Sequence, residues 1–231
     1  MVDMHSHVLP FVDDGSPSIE DSLKILELEK QNDVKKVIFT PHYKHNIYDT
    51  PFEELTGVYN NFVNEVKKRE LNIDVYLGQE IYCTNKIYDL LKEGTISTIN
   101  GTKCLLIEFN YYDEQDIADY VYNLKTMGYI PIIAHIERYI YLNWHNLFDL
   151  KQLGALLQVN ASSITGEEGR TIRRRVLKAI KQGLVDFVSS DVHSDRQLPM
   201  KNAYKIVQKT AGTLIADNVF KNNAEKYFNL Q

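Results

Sequence analysis

Cysteine is scarce: Cys83 and Cys104 are the only two in 231 residues, too few to staple a chain of this size, so stability has to come from a packed core. Six prolines and eleven glycines are spread too thinly to build a linker, and no internal repeat of fixed period is found. Both absences favour one domain spanning residues 1–231. No apolar run approaches the roughly 20 residues that cross a bilayer, which excludes membrane insertion by a helix. The opening Met1-Val2-Asp3-Met4-His5 lacks a basic segment followed by an apolar one, so a cytoplasmic protein is expected. Excess positive charge is missing as well. With 26 Lys+Arg against 31 Asp+Glu the net charge is −5, which argues against general nucleic-acid binding.

What remains, 44% hydrophobic and 25% charged residues, suits a globular chain with one sizeable core. Seven short apolar runs read as strands: Val2-Met4, Val34-Thr40, Ile73-Gly78, Cys104-Phe109, Ile130-Ala134, Ala155-Val159 and Val185-Ser189. Helical spacing separates them, over Ile19 to Lys30, Phe52 to Val66, Ile87 to Leu91, Ile117 to Met127, Leu147 to Leu153 and Ile172 to Ile180. Gly128, Gly154 and Gly183 each sit between a helical run and the next strand, where a helix end favours a residue tolerant of positive φ. The alternation predicts an α/β fold of parallel strands.

The strand ends carry the chemistry. In order they are His5-Ser6-His7, Pro41-His42, Gln79-Glu80, Glu108, His135, Asn160 and Asp191-Val192-His193. In a closed parallel barrel these ends share one rim, where such barrels build their sites. A period of two places His5 with His7, and Asp191 with His193, on one side of their strands, and first and last strands are neighbours. Five histidines and several carboxylates converging there indicate metal. Each residue alone has a plainer reading: a salt bridge for Glu80 and Glu108, a satisfied rim histidine for His42 and His135, a solvated arginine for Arg138 and Arg196. Two arginine forks bordering a metal cluster would suit a phosphate oxyanion. Asp13-Asp14-Gly15 reads as a turn in which one aspartate could ligate. His45 and His145 are taken as surface residues, Arg170 to Arg175 as the polar face of a helix, and most rim tyrosines as packing residues.

Other chemistries fail on spacing. Asp89 and Asn110, six residues after the cysteines, stand where a cysteine phosphatase needs arginine, and Gly-x-Ser-x-Gly, Walker and Gly-x-Gly-x-x-Gly motifs are all absent.

Taken together, His5-Ser6-His7, Asp13-Asp14-Gly15, Pro41-His42, Gly78-Gln79-Glu80-Ile81, Leu106-Ile107-Glu108-Phe109, Ile133-Ala134-His135-Ile136-Glu137-Arg138 and Ser190-Asp191-Val192-His193 resemble the polymerase-and-histidinol-phosphatase superfamily. More narrowly they resemble its manganese-dependent protein-tyrosine phosphatases of bacterial capsule and exopolysaccharide clusters. The resemblance implies a distorted (β/α)7 barrel with three divalent metals at the carboxyl ends of the strands. It assigns His5, His7, Glu80 and Asp191 to the first, Asp14, His42 and His193 to the second, and a bridging Glu80 with Glu108 and His135 to the third, with Arg138 and Arg196 on the phosphate. Manganese is expected, though imidazole and carboxylate ligands also suit iron or zinc. Three dications and the carboxylates of Asp14, Glu80, Glu108 and Asp191 leave about +2, a field matched to a phosphomonoester dianion. The implied reaction is hydrolysis of phosphotyrosine by metal-activated hydroxide, with a phosphorylated bacterial tyrosine autokinase as partner. The alternative is a phosphatase of a small phosphomonoester such as histidinol phosphate, against which the carboxylates Asp14 and Glu108 weigh. An eight-stranded amidohydrolase would commonly place a modified lysine where this chain has Glu108.

Overall fold

The computed structural model describes residues 1–194 and 198–230. All seven apolar runs form parallel strands: β1 (Val2–Ser6), β2 (Lys36–Phe39), β4 (Asp74–Leu77), β6 (Cys104–Glu108), β7 (Ile130–Ile133), β8 (Leu156–Asn160) and β9 (Phe187–Ser189). Two of them resume after an interruption. Pro41 carries no N–H, and the chain past it re-pairs as β3 (His42–Tyr43); past Gly78-Gln79 it re-pairs as β5 (Glu80–Tyr82). The order β1-β2-β4 therefore passes into β3-β5-β6-β7-β8-β9. The circle closes where Ser6 bridges Val192, with His7 N–H donating to the Val192 carbonyl at 3.0 Å and Asp191 N–H to the His5 carbonyl at 2.9 Å. The result is the distorted barrel expected.

Outside the strands lie α1 (Ile19–Gln31), α2 (Phe52–Lys68), α3 (Ile87–Glu93), α4 (Ile117–Thr126), α5 (Trp144–Gln152), α6 (Ala161–Thr165) and α7 (Arg170–Lys181). Local sequence starts and stops them. The Ser18 side chain accepts from Asp21 N–H to cap α1, and Asn143 and Asn146 form a reciprocal capping box on α5. Gly128, Gly154 and Gly183 follow α4, α5 and α7 with φ of 91°, 90° and 71°.

Ladder partners Leu106, Ile132 and Leu156 face inward, and with Val2, Met4, Ile38 and Phe187 they fill the barrel. Its base is plugged by α10 (Asn223–Phe228), which follows α8 (Met200–Ala211) and α9 (Thr213–Asp217). The stretch after residue 200 shows no apolar run and drew no assignment from sequence. Phe228 is fully buried, stacks on Phe187 at 5.2 Å and accepts through its carbonyl from Asn100 Nδ2.

One irregularity aims the first two histidines. Between Asp3 and Ser6 the β1 ladder advances three residues while β2 advances two, from Val37 to Phe39. This bulge reverses the facing of the strand. Met4 and then His5 and His7 point inward, whereas strict alternation from Met4 would have sent both histidines outward. Phe228→Ala is expected to cost about 3–5 kcal/mol, read as a lower urea midpoint, with the rim chemistry intact in the protein that stays folded.

Candidate metal centre

Glu80 is the hub. It is fully buried, and its Oε2 lies 3.2 Å from His5 Nε2, 3.2 Å from His7 Nε2 and 3.0 Å from His42 Nδ1, while Oε1 lies 2.8 Å from His135 Nε2. Asp191 Oδ1 stands 3.6 Å and 3.5 Å from the Nε2 atoms of His5 and His7, which are themselves 3.2 Å apart. Beside them, Asp14 Oδ1 lies 3.7 Å from His42 Nε2 and 3.6 Å from His193 Nε2. Glu108 Oε1 lies 3.8 Å from His135 Nε2. The donor atoms fall into three overlapping groups: His7, Asp14, His42 and His193; His5, His7 and Glu80; His42, Glu80 and Glu108.

These spacings fit cations. Ligand atoms about 2.1 Å from a shared ion sit roughly 3.0–3.4 Å apart in octahedral or tetrahedral arrangement. Glu80 Oε2 meets the surrounding imidazole nitrogens, His42 Nδ1 included, at ion-pair distance without an aligned hydrogen bond, and His135 Nδ1 is buried with no hydrogen-bond partner among the described residues, a costly state unless something else meets it.

The outer ring nitrogens decide which inner ones are available. His5 Nδ1 lies 3.3 Å from Gln158 Oε1, His7 Nδ1 2.7 Å from Asp13 Oδ2 and His193 Nδ1 3.1 Å from the Asp191 carbonyl. With the proton on Nδ1 facing an acceptor, each Nε2 lone pair points into the cluster. Asp13 also accepts from His42 N–H at 2.9 Å and from Gly15 N–H at 2.9 Å. Gly15 is obligatory, since a Cβ there would come within 2.1 Å of the His7 carbonyl oxygen. Gln158 accepts from His135 N–H at 2.6 Å and donates to Asn160, whose Nδ2 donates to Asp191 Oδ2 at 2.8 Å.

Charge is balanced internally. Burial works to lower the pKa of His5, His7 and His42, but Glu80 and, for individual rings, Asp191 or Asp13 outweigh it and hold all three above the ordinary value. Burial would raise Asp13, Glu80 and Asp191; the surrounding imidazoles, and for Asp191 also Arg138, bring them down instead, Asp13 to about 2.

Nine residues read from sequence as ligands thus stand in one cup. Asp191 and His193 arrive there differently than expected: β9 ends at Ser189, and Asp191 adopts a left-handed φ of 52°, so a turn rather than strand alternation aims them. His135 is likewise left-handed, at φ 30°. Arg138 Nη2 donates to Asp191 Oδ2 at 3.0 Å and Nη1 to Tyr111 Oη at 3.3 Å, its side chain 24% exposed at the rim. Arg196 lies outside the described residues. His45 and His145 are exposed. Sequence reading placed Asn160 at a strand end without a role and missed Asp13 as an orienting group, Gln158, and the part of Tyr111, whose hydroxyl donates to Glu108 Oε1. Gln158 and Asn160 were detectable as polar residues on the inward parity of an otherwise apolar strand. If Asp13 sets the His7 tautomer, Asp13→Asn will weaken metal affinity about 10–100-fold in a chelator competition; unchanged affinity would leave it a turn residue only.

The family model described as "Capsular polysaccharide synthesis, CpsB/CapC" matches residues 1–229. CapC of Staphylococcus aureus is 40% identical over 206 residues, covering 86% of this chain and 79% of that protein. The tyrosine-protein phosphatase CpsB of Streptococcus agalactiae is 31% identical over 235 residues, 97% of both chains. A crystal structure from the pair YwqE of Bacillus subtilis and CpsB of Streptococcus pneumoniae, described as metal-dependent tyrosine phosphatases, superposes with a TM-score of 0.92 at 27% identity, over 100% of this chain and 96% of that one. With nearly the whole chain matched, this protein belongs to the CpsB/CapC family of capsular polysaccharide synthesis.

Proposed function

We propose that the protein is a metal-dependent protein-tyrosine phosphatase, acting in the cytoplasm on a phosphorylated tyrosine autokinase of capsule or exopolysaccharide synthesis. The observation that carries this is the buried imidazole–carboxylate cluster with an arginine fork at its rim, in a family whose named relatives are tyrosine phosphatases. In the proposed loading His5, His7, Glu80 and Asp191 hold one cation, Asp14, His42 and His193 a second, and Glu80, Glu108 and His135 a third, with manganese the metal in use. Bound divalent cations supply Lewis acidity, lowering the pKa of water and neutralising phosphoryl charge.

The protein's own groups do the rest. Arg138 is steadied by Asp191 Oδ2 on one side and Tyr111 Oη on the other, and the 24% of its side chain left exposed offers guanidinium N–H groups to a phosphoryl oxygen. Tyr111 keeps the guanidinium and Glu108 in register. A phenolate leaving group, of pKa about 10, departs far more readily than an alkoxide, so aryl phosphates suit an open rim.

With manganese supplied, phosphate should be released from p-nitrophenyl phosphate and from a phosphotyrosine peptide in preference to histidinol phosphate; no release would end the proposal. Arg138→Ala should lower turnover on the order of a hundredfold with metal content retained, whereas Asp191→Ala should also lose metal by elemental analysis.

Protons and cations compete for the same imidazoles. Because the folded pKa values of His5, His7 and His42 are raised, their contribution to the metal-free protein is complete below about pH 6.5 and fades as pH climbs through the raised values. Asp13, Glu80 and Asp191 are lowered, so their contribution is present above about pH 4 and lost on further acidification. Chelator-treated protein should melt highest between about pH 4.5 and 6.5, and the rise in Tm on adding manganese should widen from pH 6 to pH 8. An increment independent of pH would contradict the cluster as the binding site.

A further inference from the structure

Helix α7, Arg-Thr-Ile-Arg-Arg-Arg-Val-Leu-Lys-Ala-Ile-Lys, holds six cations and no carboxylate in a chain of net charge −5. Two have internal work: Arg175 Nη2 donates to the Leu142 carbonyl, and Lys178 covers the Trp144 ring at 4.6 Å. Arg170, Arg173, Arg174 and Lys181, with Leu177 and Lys178, line an open groove along the outer side of α7, and none of the first four has a carboxylate within ion-pair distance among the described residues. The Nε of Arg173 is buried without a hydrogen-bond partner. Arg170 and Arg173 occupy the first turn, where the helix dipole disfavours cations, so helix stability does not account for them. The two acids just before the helix, Glu167 and Glu168, offset only part of this charge, and Glu167 is engaged by Thr165 Oγ1.

The chain leads from the metal centre to the groove. Asn160, which donates to Asp191, leads directly into α6, and Gly169 N–H turns back on the Gly166 carbonyl before α7 starts. One short helix and one turn put Gly169 no more than about 16 Å from Asn160. Helix α7 also packs on the turn Ile136–Arg138 that carries the phosphate-facing arginine.

We infer that the α7 groove docks a second phosphorylated residue of the same peptide substrate, about five to ten residues from the phosphotyrosine in the metal centre, that being the number of extended residues needed to reach and follow the helix. Phosphate rather than carboxylate is the matched anion, because arginines outnumber lysines there and their forks bind phosphate oxygens in pairs. The inference rests on the phosphatase reading above.

The test compares manganese-loaded wild type with the triple variant Arg170→Gln, Arg174→Gln, Lys181→Gln, all three exposed positions. Substrates are p-nitrophenyl phosphate, a peptide with one phosphotyrosine, the same peptide with a second phosphotyrosine seven residues away, and one with Glu at that second place. Wild type should show a KM lower on the order of tenfold for the doubly phosphorylated peptide than for the other two, a gain lost in the variant and at high salt. Turnover of p-nitrophenyl phosphate should be equal in both proteins. Equal KM for the peptides in wild type overturns the inference whatever the variant does, as does a preference that survives the triple substitution or an equal gain from Glu. Groove-dependent binding to anionic vesicles without peptide preference also overturns it, by assigning the groove to lipid. Wild type inactive on p-nitrophenyl phosphate refutes the phosphatase reading instead.

Discussion

A fully buried carboxylate surrounded by four imidazoles is the constraint on which this architecture turns. Isolated, the Glu80 carboxylate would be far too costly to desolvate, and burial alone pushes the His5, His7 and His42 rings toward their neutral form. Gathered, they solve each other's problem: His5, His7, His42 and His135 approach Glu80 within about 3 Å, and Glu80, joined by Asp191 at His5, Asp13 at His7 and Glu108 at His42, keeps those three rings above their ordinary pKa. The same arrangement that holds protons suits divalent ions, because both need lone pairs aimed at a common point and negative charge behind them. Proton occupancy and metal occupancy are alternative ways of neutralising a single buried cluster.

Assembling it requires departures from regular structure. The β1 bulge turns His5 and His7 inward, and His135 and Asp191 adopt left-handed backbone that costs roughly 1–3 kcal/mol each. Those conformations persist because hydrogen bonds over-determine them. Asp191 N–H is tied to the His5 carbonyl, and the preceding residue, Ser190, donates through N–H at 3.0 Å to Asp3 on β1, closing first and last strands over the site. His135 N–H is fixed by Gln158. Barrel closure and site geometry are one set of contacts.

That coupling explains what sequence could and could not disclose. The seven strands were legible because β-branched apolar runs are dictated locally, and the polar residues ending them stood out by contrast. His5 and His7 were correctly paired, yet the direction they face depends on a bulge whose extra residue shows only against β2. Asp13 looked like a turn former because its two hydrogen-bond partners beyond the turn, His7 Nδ1 and His42 N–H, come from other segments. Tyr111 was one of fifteen tyrosines, and nothing near it in sequence marks its contact with both Glu108 and Arg138. Residues 200–230 form amphipathic helices whose role as a base plug becomes visible only when Phe228 meets Phe187 inside the barrel.

Asp191 ties recognition to loading. Its Oδ1 faces the histidines while its Oδ2 receives both Arg138 and Asn160, so one carboxylate joins the proposed cation site, the Arg138 fork and the Gln158–Asn160 bridge that orients His5. A carboxylate drawn toward a cation by one oxygen still presents the other, and Arg138 therefore keeps its orientation whether protons or metals neutralise the cluster. In the proposed reaction a substrate phosphate would meet a guanidinium already immobilised, with the entropy of ordering that side chain spent in folding rather than at each turnover. Among the described residues of the cluster, Asp14 at 51% and Arg138 at 24% exposure are the ones that reach solvent most, so a phosphorylated side chain would approach from their side.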